Sequence, residues 1–220
     1  MSARYLAVRA VTDRVVAGIA LVVAAPLMVA VAGAIVASMG RPVLFRQERV
    51  GQHGRRFQIV KFRTLVRDAE RLGHGYLPPE LDLVPPLGRI LRASSLDELP
   101  QLWNILVGDM AFVGPRPTLS DQFERYTDRQ RGRVAVPQGI TGLAQLRYRD
   151  AAPWSVRIET DLEYARTVSL ATDLRLLAAT IGAVVRRDGI VQHQTPEDID
   201  DLGDREPGVA SDATTEGTTR

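Results

Sequence analysis

The longest hydrophobic feature of the chain lies near its start. Between Arg14 and Arg41 no residue is charged, and Val15 to Gly40 is built mainly from Val, Ala, Leu and Ile. That is the length and composition of a helix that enters a bilayer. Beyond it the apolar runs shorten and become periodic. Pro42–Gln47 and Phe57–Phe62 flank the turn-like Val50-Gly51-Gln52-His53-Gly54, a pattern that predicts a β-hairpin. Leu65–Leu72 reads as a helix with Arg67, Asp68, Glu70 and Arg71 on its wet side, and the proline-rich Gly73–Pro86 reads as a loop. Helices are predicted over Leu96–Val107, Ser120–Arg133, Trp154–Val168 and Leu170–Arg187. In the last of these, Leu170, Leu174, Leu177, Ile181, Val184 and Val185 form an amphipathic stripe ending in Arg186-Arg187. Such a stripe suits either an ordinary core or the headgroup layer of a membrane. The expected fold is α+β and mostly helical: an N-terminal re-entrant membrane helix-hairpin, then a small helical domain with a short β-hairpin and interfacial amphipathic helices.

The re-entrant expectation comes from weighing three arrangements of the apolar run. A cleaved signal peptide would use Arg4, Arg9 and Arg14 as its basic region. The run is too long for that, and no disulfide-bearing domain follows. A single span conflicts with charge, because Arg41, Arg46, Arg49, Arg55 and Arg56 follow the run as closely as the first three precede it. The positive-inside rule holds both flanks in the cytoplasm. Pro26, near the middle, removes a backbone hydrogen bond and bends a helix. At ~1.5 Å per residue, each arm then reaches only about half way through the hydrocarbon. The chain accordingly divides into a basic flank (1–14), a re-entrant membrane helix bent near Pro26 (15–40), a cytoplasmic domain (41–190) and a disordered acidic tail (191–220).

Composition removes several chemistries. There is no cysteine, so disulfides and thiolate metal sites are excluded. The three histidines, His53, His74 and His193, have no paired spacing and argue against zinc. The formal net charge of +2 hides a tail of about −6 from Val191 onward on a body of about +8. A basic body suits anionic lipid, nucleotides or nucleic acid. A nucleic-acid binder is disfavoured by the apolar run and the scarcity of aromatics. Lys61 is the one lysine among 28 basic residues.

The chemical content is concentrated between residues 95 and 117. Ser95-Leu96-Asp97-Glu98 fits a capping box, with Ser95 as N-cap and Asp97 in the first helical turn. Free N–H groups and the helix dipole would keep a carboxylate ionised there, able to act as a nucleophile, and the same helix end could hold a phosphate. Leu96, Leu99, Trp103, Leu106 and Met110 make the expected core-facing stripe. In Gly114-Pro115-Arg116-Pro117 two prolines give one arginine a preset direction, useful for gripping a phosphate. Lys61 and Arg63 flank Phe62 in a predicted strand and are expected on one face, opposite something anionic; ion pairs with Asp68 or Glu70 are the structural alternative. Walker and Rossmann phosphate motifs do not occur in the sequence.

With these residues in view, the chain resembles the monotopic polyprenyl-phosphate phosphoglycosyl transferases of the bacterial sugar transferase family. The resemblance runs from about Arg14 to Arg187. It is carried in order by Arg46-Gln47-Glu48-Arg49-Val50-Gly51, Lys61-Phe62-Arg63-Thr64, Ser95-Leu96-Asp97-Glu98-Leu99-Pro100-Gln101, Gly108-Asp109-Met110, Val113-Gly114-Pro115-Arg116-Pro117 and Gly139-Ile140-Thr141-Gly142-Leu143-Ala144-Gln145. It implies transfer of a sugar 1-phosphate from a UDP-sugar to a polyprenyl phosphate at the bacterial inner membrane, on its cytoplasmic face. Asp97 would attack the sugar-side phosphate and release UMP, Glu98 would hold Mg²⁺, and Lys61, Arg63, Arg92 and Arg116 would contact phosphates. A homodimer is compatible with the resemblance. The chain departs from the family pattern at Ala25-Pro26, where Ser-Pro is usual, and at Pro137 and Leu143, where the family carries arginine and tryptophan. The rival reading is a catalytically silent membrane-bound partner in glycan assembly, which would have no need of the Asp97-Glu98 pair.

Overall fold

The computed structural model describes residues 3–67, 69, 83–148, 152–186 and 202. Helix α1, Ala3–Met39, begins well before the apolar run and is one continuous helix through Pro26, so the helix-hairpin expected there is not seen. One stripe of it faces the rest of the molecule. Near its start Tyr5 and Leu6 pack against the cluster of Val113, Val136, Tyr164, Val168 and Leu176, and Ala17 is buried against Phe57, Ile59, Ile105 and Met110. Near its end Val31 and Ile35 join Phe62 and Leu91. The opposite face, including Val15, Ile19, Val22, Val23 and Val29, is exposed.

The predicted hairpin is present. Strand β1 (Leu44–Val50) pairs antiparallel with β2 (Arg56–Phe62), placing Phe45 opposite Lys61. Of the helix expected over 65–72, residues 65–67 and 69 are described, and 65–67 form a bend and turn rather than helix. Of the loop expected over 73–86 only 83–86 are described, and its last residue, Pro86, already opens a helix. From there α2 (Pro86–Ala93) leads into a 3₁₀ turn, Leu96–Glu98, and helix α3 (Gln101–Val107). Strand β3 (Ala111–Val113) pairs in parallel with β4 (Gly139–Thr141), a contact that periodicity did not predict.

The predicted helix 120–133 is two short ones, α4 (Ser120–Glu124) and α5 (Asp128–Arg131). A capping box explains the break: Thr127 Oγ1 accepts from Gln130 N, and Gln130 Oε1 accepts from Thr127 N, so the chain restarts there. After α6 (Leu143–Tyr148), α7 (Trp154–Thr167) and α8 (Leu170–Arg186) match their predicted ranges closely.

One side-chain expectation is corrected. Of the expected stripe, Leu96, Leu99, Leu106 and Met110 pack in the core, but Trp103 is 55% exposed, and α3 buries Gln101, Leu102, Asn104 and Ile105. The turn at 95–98 winds more tightly than an α-helix and rotates the face. On α8 Leu170, Leu174 and Ile181 are exposed, while Asp173 and Leu176 point inward, where Asp173 accepts hydrogen bonds from the Tyr164 and Tyr5 hydroxyls. In the segment expected to be disordered, Leu202 is buried against Tyr126, Ile158 and Leu162; the remainder of that tail lies outside the described residues.

Candidate active site

Two carboxylates and three cations meet around the 3₁₀ turn. The expected capping box at Ser95 is not formed. Ser95 adopts left-handed backbone angles (φ 56°, ψ 16°) and its side chain caps nothing; instead its carbonyl accepts from Glu98 N. The α-helix starts only after Pro100, so Asp97 sits in the tight turn ahead of it. Ser95 is strained, since a non-glycine residue in this conformation costs roughly 1–2 kcal/mol. The strain sharpens the corner between α2 and the turn.

Glu98 is the hub of the charges. Its Oε1 accepts from Lys61 Nζ at 2.7 Å and from Arg116 Nη2 at 3.2 Å. Asp97 is 8% exposed, and its carboxylate makes no hydrogen bond among the described residues. The two acids are driven apart electrostatically. Burial and the adjacent Glu98 charge push Asp97 above the ordinary carboxylate range, against the pull of Lys61, Arg92 and Arg116. Burial acts in the same direction on Glu98, but the charges and hydrogen bonds of Lys61 and Arg116 outweigh it and hold Glu98 down at about 2. Lys61 is lowered by burial and by Arg116, with Glu98 opposing.

The site residues expected from sequence divide into two groups. Lys61, Arg116, Glu98 and Asp97 come together, and Arg92 on α2 adds its field at Asp97. Arg63 does not join them. Its guanidinium donates to the carbonyls of Met39 and Gly40, both at 2.6 Å, and of Arg41 at 3.3 Å. These carbonyls at the end of α1 lack intrahelical partners and carry partial negative charge, so Arg63 is drawn to the helix terminus rather than to a phosphate site. The anion opposite Lys61 is Glu98; the alternative partners Asp68 and Glu70 lie outside the described residues.

Sequence reasoning missed the scaffold of the site. Asn104, buried on α3, accepts from Val60 N through Oδ1 at 3.0 Å and donates through Nδ2 to Gln58 O at 2.8 Å, docking α3 on β2 beside Lys61. Arg133, 2% exposed, pairs with Asp161 and donates to Tyr126 Oη and Arg116 O. A polar residue between Trp103 and Ile105 was a readable signal for Asn104; one arginine among 27 gave none for Arg133. Gly114 and Gly139 interlock closely: a Cβ on Gly114 would lie 2.2 Å from Pro137 O, and one on Gly139 would lie 2.1 Å from Gly114 N. Only glycine allows β4 to back the Arg116 turn so closely.

No group of three or more metal-ligating side chains occurs among the described residues. Two adjacent carboxylates nevertheless form the partial donor set that Mg²⁺ takes when substrate phosphates complete its shell. Both cations use the same Glu98 oxygen, and Oε2 accepts no hydrogen bond among the described residues.

This arrangement pairs a buried, loosely held carboxylate with a cationic surround, and residues 4–187 match the description "Bacterial sugar transferase". The chain belongs to the bacterial sugar transferase family. The transferase is 42% identical over 76% of its length to "Uncharacterized sugar transferase EpsL" of Bacillus subtilis, covering 82% of that protein. It is 38% identical over 81% of its length to a "UDP-glucose:undecaprenyl-phosphate glucose-1-phosphate transferase" of Caulobacter vibrioides, covering 70% of it. It is 35% identical over 77% of its length to an "Undecaprenyl-phosphate galactose phosphotransferase" of Salmonella typhimurium, but spans only 38% of that longer protein.

Proposed function

We propose that the transferase moves a sugar 1-phosphate from a UDP-sugar to a polyprenyl phosphate, releasing UMP, by way of a covalent intermediate on Asp97. The observation that carries this reading is the Asp97 carboxylate itself: buried, free of hydrogen bonds to the described residues, and surrounded by Lys61, Arg92 and Arg116. An Asp97 oxygen attacks the phosphorus that bears the sugar. The bond from that phosphorus to the bridging oxygen breaks, and UMP leaves with the electron pair. An oxygen of the polyprenyl phosphate then attacks the same phosphorus and expels the Asp97 carboxylate, giving a polyprenyl diphosphate sugar. The acyl phosphate between the two steps is a mixed anhydride and stays reactive. Arg116 and Lys61 hold the negative charge of the diphosphate, and Glu98 keeps both cations in place. With Asp97, Glu98 would bind Mg²⁺, which neutralises charge on the departing phosphate.

Several features support a membrane setting. Helix α1 is long and apolar enough to enter a bilayer, and both its ends pack on the same domain. That supports a re-entrant helix, since a straight span would carry its N-terminus to the far side. The exposed Leu170, Leu174, Ile181, Trp103 and Val107 fit helices lying in the interface on the cytoplasmic face. The test is UMP release by purified protein with Mg²⁺, polyprenyl phosphate and a panel of UDP-sugars. Wild type should release UMP, and Asp97→Asn should lose roughly 10³-fold or more with an unchanged melting temperature. Wild-type turnover in Asp97→Asn would refute the nucleophile.

A further inference from the structure

The segment Val113–Thr118 carries Arg116 into the site, and its carbonyls are held almost one by one from outside. Arg9 on α1 donates to Val113 O. Gly139 N donates to Pro115 O at 3.0 Å, and Val50 N to Thr118 O at 2.9 Å. Arg133 Nη2 donates to Arg116 O at 3.0 Å, and Arg49 Nη1 to Pro117 O at 3.3 Å. Pro115 and Pro117 lack N–H groups, so carbonyls are the main handles this turn offers. The Tyr164 hydroxyl also donates to Val113 O at 3.5 Å, and three of the six donors are arginines, from α1, β1 and the 3₁₀ segment Gly132–Ala135.

Each arginine is itself fixed. Arg9 pairs with Asp173 at 3.2 Å and donates to Tyr164 Oη at 3.1 Å. Arg133 pairs with Asp161 and donates to Tyr126 Oη at 2.7 Å. Arg49 donates to Gln47 Oε1 at 2.6 Å. Burying Arg9 and Arg133 with their carboxylates carries a large desolvation cost that packing apolar residues would avoid. What the buried charges provide is a planar fork able to join a carbonyl to a second, distant partner.

We propose that Arg9, Arg49 and Arg133 are positioning residues that act through Arg116, gripping the backbone on both sides of it and so fixing where its guanidinium meets Glu98 and the substrate phosphate. The inference rests on the proposed reaction for its kinetic consequence, though not for its structural one. Displacements of about 1 Å in a group that orients substrate can cost around 10²-fold in rate. Coupling through a shared group makes substitutions non-additive.

The test is a double-mutant cycle of Arg133→Lys with Arg116→Ala, using the UDP-sugar that wild type turns over. Arg133→Lys keeps the charge beside Asp161 but loses the fork. It should cost roughly tenfold in kcat/KM alone and less than about twofold in the Arg116→Ala background. An equal loss in both backgrounds overturns the proposal. If Arg133→Lys melts out, Arg49→Gln takes its place in the same cycle. Hydrogen exchange provides the readout independent of turnover: both variants should speed exchange of the Gly114 and Arg116 amides and leave 101–107 unchanged. Unaltered exchange at Gly114 and Arg116 overturns the clamp even with an inactive wild type. Failure of wild type to release UMP contradicts the proposed reaction instead.

Discussion

Asp97 and Glu98 are neighbours in sequence with opposite electrostatic fates, a difference the proposed reaction uses. Glu98 stays ionised far into acid because Lys61 and Arg116 share one of its oxygens. Asp97 is raised by burial and by Glu98. An attacking carboxylate must be ionised, so UMP release should fall as pH drops through an Asp97 value above the ordinary 3.8. Replacing Glu98 with Gln removes the like charge and leaves the cations, so the Asp97 titration followed by ¹³C NMR should move to lower pH; an upward or absent shift contradicts this. Ser95 gives a second prediction. Ser95→Gly relieves the left-handed strain and should leave stability equal or slightly higher, while Ser95→Val should lose roughly 1–2 kcal/mol in denaturant unfolding. That Lys61 and Arg116 would face something anionic was legible from the sequence, and the structure supplies Glu98 beside Asp97. The strained corner was not, because Ser-x-x-Glu reads equally well as a capping box until backbone angles are known.

Among the elements, the hairpin and the last two helices followed from periodicity, which reports burial on one face. The short parallel pair of β3 and β4 did not, because three-residue strands carry too little alternation to read. Helix 120–133 was misjudged because no glycine or proline interrupts it before Gly132, and the break is made by local capping at Thr127. Arg63 shows the same limit: strand parity placed it beside Lys61, but its guanidinium is taken up by the carbonyls of Met39 and Gly40 at the end of α1 and of Arg41 just beyond it. It is therefore assigned to the fold. Arg63→Ala should lower stability by about 1–3 kcal/mol and leave kcat of the folded fraction near wild type. Lys61→Ala should do the reverse, losing turnover with little change in melting. A kcat loss in Arg63→Ala without destabilisation would reinstate a phosphate contact.

At the scale of the molecule, α1 is both the helix long and apolar enough to enter a membrane and part of the core. Tyr5, Arg9 and Ala17 pack at one end, Val31 and Ile35 at the other. Charge on both flanks suggests an N-terminus on the same side as the domain, and the contacts that hold the start of α1 on that domain depend on residues more than a hundred positions away. Because the chain has no cysteine, single labels are clean. Ala7→Cys and Arg55→Cys should both resist an impermeant maleimide in intact cells and react after permeabilisation. Labelling of Ala7→Cys from outside would show a spanning helix. The central claim, however, is the covalent step. Intact-mass spectrometry of the protein incubated with Mg²⁺ and its UDP-sugar, without polyprenyl phosphate, tests it most directly. The account predicts a mass increase of one sugar phosphate on Asp97, absent in Asp97→Asn and discharged when polyprenyl phosphate is added. Multiple turnovers to lipid product with no such adduct on rapid quenching, or an adduct on another residue, would contradict it.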